Sequence, residues 1–403
     1  MDWQCCARVV ATSFLVCIGV RAEETLTLQD ALARARERGP AARSAAFLVE
    51  EARGRQRTAE LRPNPVLEAA AGPEEAEGEG PELDLTLSQD LQVGGRRSAL
   101  LAGGEADLAR ATAEADGFLR DLLARVAEAF VRARQADERV RLAGEVETQA
   151  RQLAEAIERR YQAGDVAVLE ANLARSALAR ALSDRAAAEA SRTAELQELK
   201  RLLGVPAGED LHPVGDLLPP PAAESSTLLQ AARGRPEVRL RAAELAAADA
   251  SLRLAQAERR PDVGLSARYD REEGDGTFFA GVRLTLPVAN RGQGLAQEAA
   301  ARKSRLTVEQ EAALRAVQVD VEGARAAYGS AREAVTALQE GALPQLEENE
   351  RLSARSYEVG QIGLAEYLLI RRELRETRAV YLDRLLEAAL AWIRLQASTG
   401  GWS

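Results

Sequence analysis

Leu83-Asp84-Leu85-Thr86-Leu87-Ser88 and Val282-Arg283-Leu284-Thr285-Leu286 share one alternation of apolar and polar side chains. A two-residue period puts the apolar groups on one face of a strand and the polar groups on the other. Each segment has a companion just upstream. Val66 to Ala71 precedes the first. Before the second, Val263, Leu265, Ala267 and Tyr269 alternate with Gly264, Ser266 and Arg268. The stretches between companions, Gly72 to Pro81 and Asp270 to Thr277, are polar and acidic, as hairpin loops are. The sequence therefore predicts two β-hairpins with one apolar face each.

The surroundings of the hairpins also recur. Arg38-Gly39-Pro40 returns as Gly234-Arg235-Pro236, and Arg62-Pro63-Asn64-Pro65 as Arg260-Pro261-Asp262. Gly94-Gly95-Arg96 is echoed by Asn290-Arg291-Gly292. Arg160-Tyr161-Gln162-Ala163-Gly164 returns as Ser356-Tyr357-Glu358-Val359-Gly360. These matches keep one order at an offset of about 197 positions, which marks an internal duplication. The predicted organisation is an exported segment at 1–22, a first repeat at 23–203, a linker at 204–226 and a second repeat at 227–403. Pro206, Pro213 and Pro219-Pro220-Pro221 mark the linker, because such a cluster interrupts helices.

Each repeat reads as helix, strand pair, two long helices. Residues 27–60 are rich in Ala, Arg and Glu, and Thr27 with Asp30 has the spacing of a capping box. No proline occurs between Pro81 and Pro206. A helix from about Arg97 to Tyr161 would be about 100 Å long at about 1.5 Å per residue. Leu119, Leu122, Leu123, Val126 and Phe130 form its apolar stripe. In the second repeat Leu314, Val317, Val321, Ala324, Tyr328, Ala331, Val335, Leu338 and Ala342 step by threes and fours, the coiled-coil spacing. Leu374, Tyr381, Leu385, Ala388, Trp392 and Leu395 continue the pattern after Gly363.

Composition excludes several functions. The 403 residues carry a formal net charge of −10, whereas a nucleic-acid binder presents a basic face. Only Lys200 and Lys303 are lysines, and neither follows a glycine, so there is no Walker A loop. One histidine, His212, and three cysteines, Cys5, Cys6 and Cys17, leave no zinc site and no Ser-His-Asp triad. No cofactor is expected. Val9 to Val20 is apolar apart from Thr12 and Ser13, and Val20-Arg21-Ala22 offers small residues for cleavage. This is a secretory signal, shorter than the roughly 20 residues of a spanning helix. Lipidation of Cys17 is the alternative.

Four strands cannot close a barrel around a channel, and two hairpins leave open edges. Three copies supply twelve strands, enough to close. A closed barrel is one of two backbone solutions that lipid permits. Leu83, Leu85, Leu87, Val282, Leu284 and Leu286 would then face lipid. Asp84, Thr86, Ser88, Ser266 and Arg283 would face a wet lumen. Tyr269, Phe278 and Phe279 are placed at the interfacial girdle.

The ordered set of motifs resembles the TolC family of outer-membrane efflux channels, in particular its short CzcC/CusC-like heavy-metal branch. The set comprises the duplicated Arg-Pro-Asn-Pro and Arg-Pro-Asp, Leu286-Pro287-Val288, Leu343-Pro344-Gln345-Leu346-Glu347-Glu348-Asn349 and Tyr357-Glu358-Val359-Gly360-Gln361. The resemblance runs from Leu26 to about Thr399. It implies a mainly α chain with a small β part, assembled as a homotrimer. A twelve-stranded outer-membrane barrel, four strands per chain, would sit on a long periplasmic α-helical coiled-coil tunnel. It also implies a periplasmic adaptor and an inner-membrane pump as partners, and a conduit rather than an enzyme.

The resemblance further places a periplasmic gate at Glu366 and Glu170, six residues after Gly360 and Gly164. The family's second acidic position is Leu369 here. Adaptor-docking tips fall at Gly164, Asp165, Gly360, Gln361 and Gly363. The cargo stays open between metal cations, drugs and secreted protein. No His, Met or Cys cluster after residue 22 selects a soft metal. A periplasmic coiled-coil adaptor and a purely structural coiled coil are the competing classes; strands preceding long helices twice favour the channel.

Overall fold

The computed structural model describes residues 24–72, 83–206, 208–272 and 275–401. The exported segment 1–22 lies outside these residues, as does most of the first hairpin loop. A short strand β1 (Glu24–Leu26) leads into α1 (Leu28–Arg38) and α2 (Pro40–Glu60). Thr27 caps α1 as expected: its Oγ1 accepts from the Asp30 N–H, and the Asp30 carboxylate accepts from the Thr27 N–H at 3.2 Å. The single helix expected over 27–60 is divided at Gly39. Pro40 has no N–H to donate, so it starts a new helix at its first turn.

Strands β2 (Val66–Ala71) and β3 (Leu83–Leu91) follow, then α3 (Arg96–Gln162) and α4 (Val168–Leu203). The 67 residues of α3 make it the longest element. The second repeat gives α5 (Ser225–Ala232), α6 (Pro236–Ala257), β5 (Asp262–Glu272) and β6 (Asp275–Thr285). Next come α7 (Gln293–Thr336), α8 (Leu343–Glu358) and α9 (Leu364–Thr399). Between α7 and α8 the chain winds as a π-helix over Ala337–Ala342. The regular stripe expected through Ala342 therefore holds only to Val335. Val317, Val321, Tyr328 and Val335 are buried, whereas Leu314 at its start is exposed. Pro344 follows the π-turn and lacks the N–H that would continue the α ladder.

The segment 204–226 is not a free tether. Within it β4 (Leu211–Pro213) pairs in parallel with β1, Glu24 opposite Leu211. Leu211 and Leu217 are buried. Arg134 of α3 donates to the Gly215 carbonyl at 3.1 Å, and Tyr328 of α7 donates to Pro220 at 2.6 Å. The segment thus straps both halves together over a core that includes Leu122, Leu123, Val126, Leu199 and Ile393.

The sheet order is β2-β3-β5-β6, all antiparallel. The second hairpin is longer than expected. Asp270, Arg271 and Glu272 pair with Thr277, Gly276 and Asp275 instead of forming loop. Gly276 permits this, because a Cβ there would meet the Tyr269 hydroxyl at 2.5 Å. Leu286 lies one residue beyond β6, which ends at Thr285. Among the described residues no helix is long and apolar enough to cross a membrane.

Candidate functional site

Directly opposed residues in an antiparallel sheet share a face. Leu67 opposes Leu87, Leu85 opposes Tyr269, Leu265 opposes Val282, Val263 opposes Leu284, and Tyr269 opposes Phe278. One face of all four strands is therefore apolar, apart from Arg271 toward one end and Gln89 toward the other. Leu67, Phe278, Val282 and Leu284 on it are exposed in the single chain. The opposite face carries Glu68, Asp84, Asp90, Asp262, Asp270 and Asp275, together with Arg268 and Arg283. Arg268 bridges Asp84 at 3.0 Å and Asp270 at 2.7 Å, and Arg283 pairs with Asp90. Phe279 is the exception to the expected girdle. It opposes Arg268 and so belongs to the polar face, whereas Phe278 belongs to the apolar one. β2 and β6 are the open edges.

At the far end of the long helices the two repeats make the same turn. Gly164 has φ +83 and Gly360 has φ +77, a left-handed backbone that glycine adopts without a Cβ penalty. The Gly164 N–H reaches the Tyr161 carbonyl at 3.0 Å, and the Asp165 N–H the Arg160 carbonyl at 2.9 Å. In the second copy the Gly360 N–H reaches Tyr357 at 3.1 Å, and the Gln361 N–H reaches Ser356 at 2.8 Å. Gly363 differs, because its backbone is extended (φ −81, ψ 163) and it precedes the first residue of α9.

The structure brings these two turns together. Ala154, Ile157, Ala171, Ala174 and Leu364 form one buried cluster, with Tyr357, Tyr367 and Leu368 packed on it. The Tyr357 and Tyr367 rings stack, and the Arg371 guanidinium lies 5.5 Å from the Tyr367 centroid. Burial, then the charge of Glu170, push the Tyr357 phenol above its ordinary pKa, against the opposing effect of Arg160. Glu170 and Glu366 both sit in the first turn of their helices, where a carboxylate complements the helix dipole. Glu170 is half-buried and Glu366 exposed. Among the described residues neither has an ion-pair partner. The described residues also contain no group of three or more His, Cys, Asp and Glu side chains that would hold a metal ion.

Two sets of residues were not foreseen from the sequence. The first is the Tyr357–Tyr367–Arg371 stack, legible in principle from the four-residue spacing of Tyr367 and Arg371. The second is a set of ion pairs between α3 and the start of the second repeat: Arg120 with Glu237, and Asp116 with Arg239 at 2.8 Å. Arg235 adds a contact to Asp320 at 3.3 Å. The first two pairs join the repeats, the Arg235–Asp320 contact lies within the second, and none carries a periodic signal.

The family described as outer membrane efflux protein matches residues 31–205 and 227–401. The cobalt-zinc-cadmium resistance protein CzcC of Cupriavidus metallidurans is 28% identical over 364 residues, covering 89% of this chain and 86% of that one. Protein CyaE of Bordetella pertussis is 29% identical over 337 residues, covering 78% and 70%. Among solved structures, CusC superposes with a TM-score of 0.78 at 20% identity, covering 92% of this chain and 91% of CusC. The open-state outer membrane channel MtrE of Neisseria gonorrhoeae superposes with a TM-score of 0.77 at 23% identity, covering 93% and 88%.

Proposed function

The chain belongs to the outer membrane efflux protein family and is the outer-membrane channel component of a tripartite efflux system, reaching into the periplasm; we propose that it works as a homotrimer whose three sheets close one barrel. The observation that carries this reading is the sheet itself. One face is apolar across all four strands apart from Gln89 and Arg271 near its ends, the other is charged, and both edges lack a partner in the single chain. In lipid an open edge leaves backbone groups unsatisfied at several kcal/mol each. Joining the β2 edge of one copy to the β6 edge of the next removes all such edges and turns the apolar face outward.

Among the described residues the lumen face then carries at least six carboxylates against two guanidiniums per copy. Such an excess concentrates cations and repels anions. Together with the likeness to a cobalt-zinc-cadmium resistance protein, this favours metal cations as cargo. The channel passes its cargo rather than transforming it. A periplasmic adaptor and an inner-membrane pump complete the system, with the adaptor meeting the turns at Gly164-Asp165 and Gly360-Gln361 and at Gly363. Glu366 and Glu170 form the gate.

Paired cysteines test the assembly. Single cysteines placed along Val66–Ala71 and along Asp275–Thr285 should form disulfides between copies in intact cells, giving dimers and trimers in the outer-membrane fraction. Failure of every pair to link, in protein that reaches that membrane, would remove the shared barrel.

A further inference from the structure

Beside the turns, a groove of about 340 Å3 runs between α3, α4 and α9. That volume lies within the range of small-molecule sites, about 300–1,000 Å3. Its floor is aliphatic: Leu142 and Val146 of α3, Leu173 of α4 and Leu368 of α9, with the exposed Leu369 at its edge. Its rim is cationic. Arg180 stands on the α4 side, and Arg371, Arg372, Arg375 and Arg378 follow one another along α9. Glu350 is the one carboxylate among the lining residues. With the carboxylates that pair these arginines counted, five guanidiniums meet Glu350, Asp184, Glu347 and Glu376, which leaves a small local excess of positive charge in a chain of net charge −10.

The arginines are held but not exhausted. Arg371 is 15% exposed, bridges Glu350 at 3.4 Å and lies over Tyr367. Arg375 is 3.5 Å from Asp184, Arg378 is 3.0 Å from Glu347, and Arg372 is 2.6 Å from Glu376. Each guanidinium has five N–H donors, so these single carboxylate contacts leave donors over. Arg180 is exposed and has no ion pair among the described residues. Helix numbering orders the groove lengthwise. Arg180, Arg375 and Leu142 lie toward its upper end, whereas Leu173, Leu368 and Leu369 lie toward the turns.

We propose that this groove binds an amphiphilic organic anion: one carboxylate, sulfate or phosphate head on a linear aliphatic chain. The head sits between Arg180 and Arg375, where a planar guanidinium can give two parallel hydrogen bonds to an oxyanion. The chain runs down the leucine floor toward Leu173 and Leu369, removing apolar surface from water. A cationic amphiphile would meet the unpaired Arg180 at the head position, and a small hydrophilic anion gains nothing from the floor. α4 and α9 touch only slightly on their own, so the bound molecule bridges the two helical hairpins. The site adjoins the proposed gate residues Glu170 and Glu366, but neither is among its lining residues.

Full-length protein in lipid nanodiscs, photolabelled with a diazirine-bearing dodecanoate and mapped by mass spectrometry, tests this. Label is expected on 168–175 and 364–372, besides the lipid-facing strands. Dodecyl sulfate should compete it away and dodecyltrimethylammonium should not. Arg180→Glu with Arg375→Glu should cut helix labelling at least tenfold while strand labelling stays constant. Leu173→Trp, which fills the floor without changing charge, should do the same and covers the case of a misfolded charge reversal. Label confined to the strands would overturn the proposal. So would equal competition by the cationic amphiphile, or helix labelling unchanged in both variants.

Discussion

Tyr357 lies parallel to Tyr367, with ring centroids 5.2 Å apart and planes within 2° of each other. The first ring ends α8 and the second begins α9, so the stack closes the turn at Gly360 from the side. Among the described residues the buried Tyr357 hydroxyl has no hydrogen-bond partner of good geometry; Arg160 stands near it, and Glu170 of the other hairpin adds negative charge beside it. The two repeats therefore meet at a ring whose neutral form is favoured.

Replacing Tyr357 separates ring from hydroxyl. Tyr357→Phe keeps the stack and removes an unsatisfied buried oxygen, so thermal stability should hold or rise. Tyr357→Ala should lose the stack, about 0.5–1.5 kcal/mol beyond lost area. The pH sign follows from the raised phenol pKa. The folded turn holds its proton more tightly than an unfolded chain, whose tyrosines titrate near about 10. That contribution is full below about pH 10 and is lost as pH rises through the folded value. Phenolate absorbance of wild type minus Tyr357→Phe should show this late titration, and Glu170→Gln should move it lower. An unchanged titration in Glu170→Gln would remove the contact between hairpins.

The face assignment gives a paired test in the barrel. Leu85→Arg puts a cation toward lipid at a cost of about 2–4 kcal/mol near the midplane, and should lower trimer yield. Thr86→Arg, on the other face, should assemble normally. Phe278→Arg and Phe279→Arg repeat the contrast in β6, with Phe278 the sensitive position. Equal loss of trimer in both members of either pair would show the register to be wrong.

Glu147 tests how α3 is fastened to α4. Its buried carboxylate accepts from Arg151 of its own helix at 2.6 Å and from Arg185 of α4 at 2.7 Å. These hydrogen bonds hold its pKa below the ordinary carboxylate value. A lowered folded pKa stabilises above the unfolded value, near about 4.3, and that stabilisation is lost as pH falls through the folded one. Glu147→Gln should therefore reduce the melting temperature at neutral pH and flatten its decline in acid. A variant melting profile parallel to wild type would contradict this.

What was legible in the sequence is what repeats locally. The alternation of Leu83, Leu85 and Leu87 with Asp84 and Thr86 predicts strand and face together, because the pleat has the same period. Adjacent Phe278 and Phe279 break that alternation, and only their opposition to Tyr269 and Arg268 sorts them. Gly164 and Gly360 stand out because each interrupts a helical run. Arg371 does not, since arginine is abundant throughout the chain. Its position over Tyr367 and against Glu350 belongs to packing between α8 and α9. The π-turn after Val335 was likewise hidden, because Leu338 and Ala342 preserve the spacing that the backbone abandons.

The docking turns separate two glycines of similar sequence context. Gly360 holds a left-handed backbone, which costs an L side chain roughly 1–2 kcal/mol. No heavy atom lies within 4 Å of a Cβ placed there, so Gly360→Leu has room at its first side-chain atom. That variant should assemble and insert yet lose transport by weakening adaptor contact. Gly363 has an ordinary extended backbone and equally open space, so Gly363→Ala should leave transport intact. Crosslinking from Gln361 to the adaptor in whole cells reads the contact directly. No crosslink from any residue between Gly360 and Leu364, with transport active, would move the docking site elsewhere.

The proposed gate rests on Glu366. It is exposed, has no ion-pair partner among the described residues, and sits at the start of α9 beside the turn. In the proposed trimer, three copies around one axis would place three such carboxylates in a ring. Ionised carboxylates at close range repel one another and attract cations, so the ring favours cation entry and resists constriction. Leu369 supplies no second carboxylate one turn further on. Arg371 and Arg372 instead follow within the next turn, so the single ring has nearby positive charge to oppose it. Glu366→Gln should therefore reduce cation preference in single-channel recordings, with the larger effect at low salt, where screening is weakest. Glu170→Gln should have the smaller effect, because Glu170 is half-buried against the Tyr357 stack rather than free in solvent. Selectivity and conductance unchanged in Glu366→Gln at both low and high salt would take this residue out of the gate.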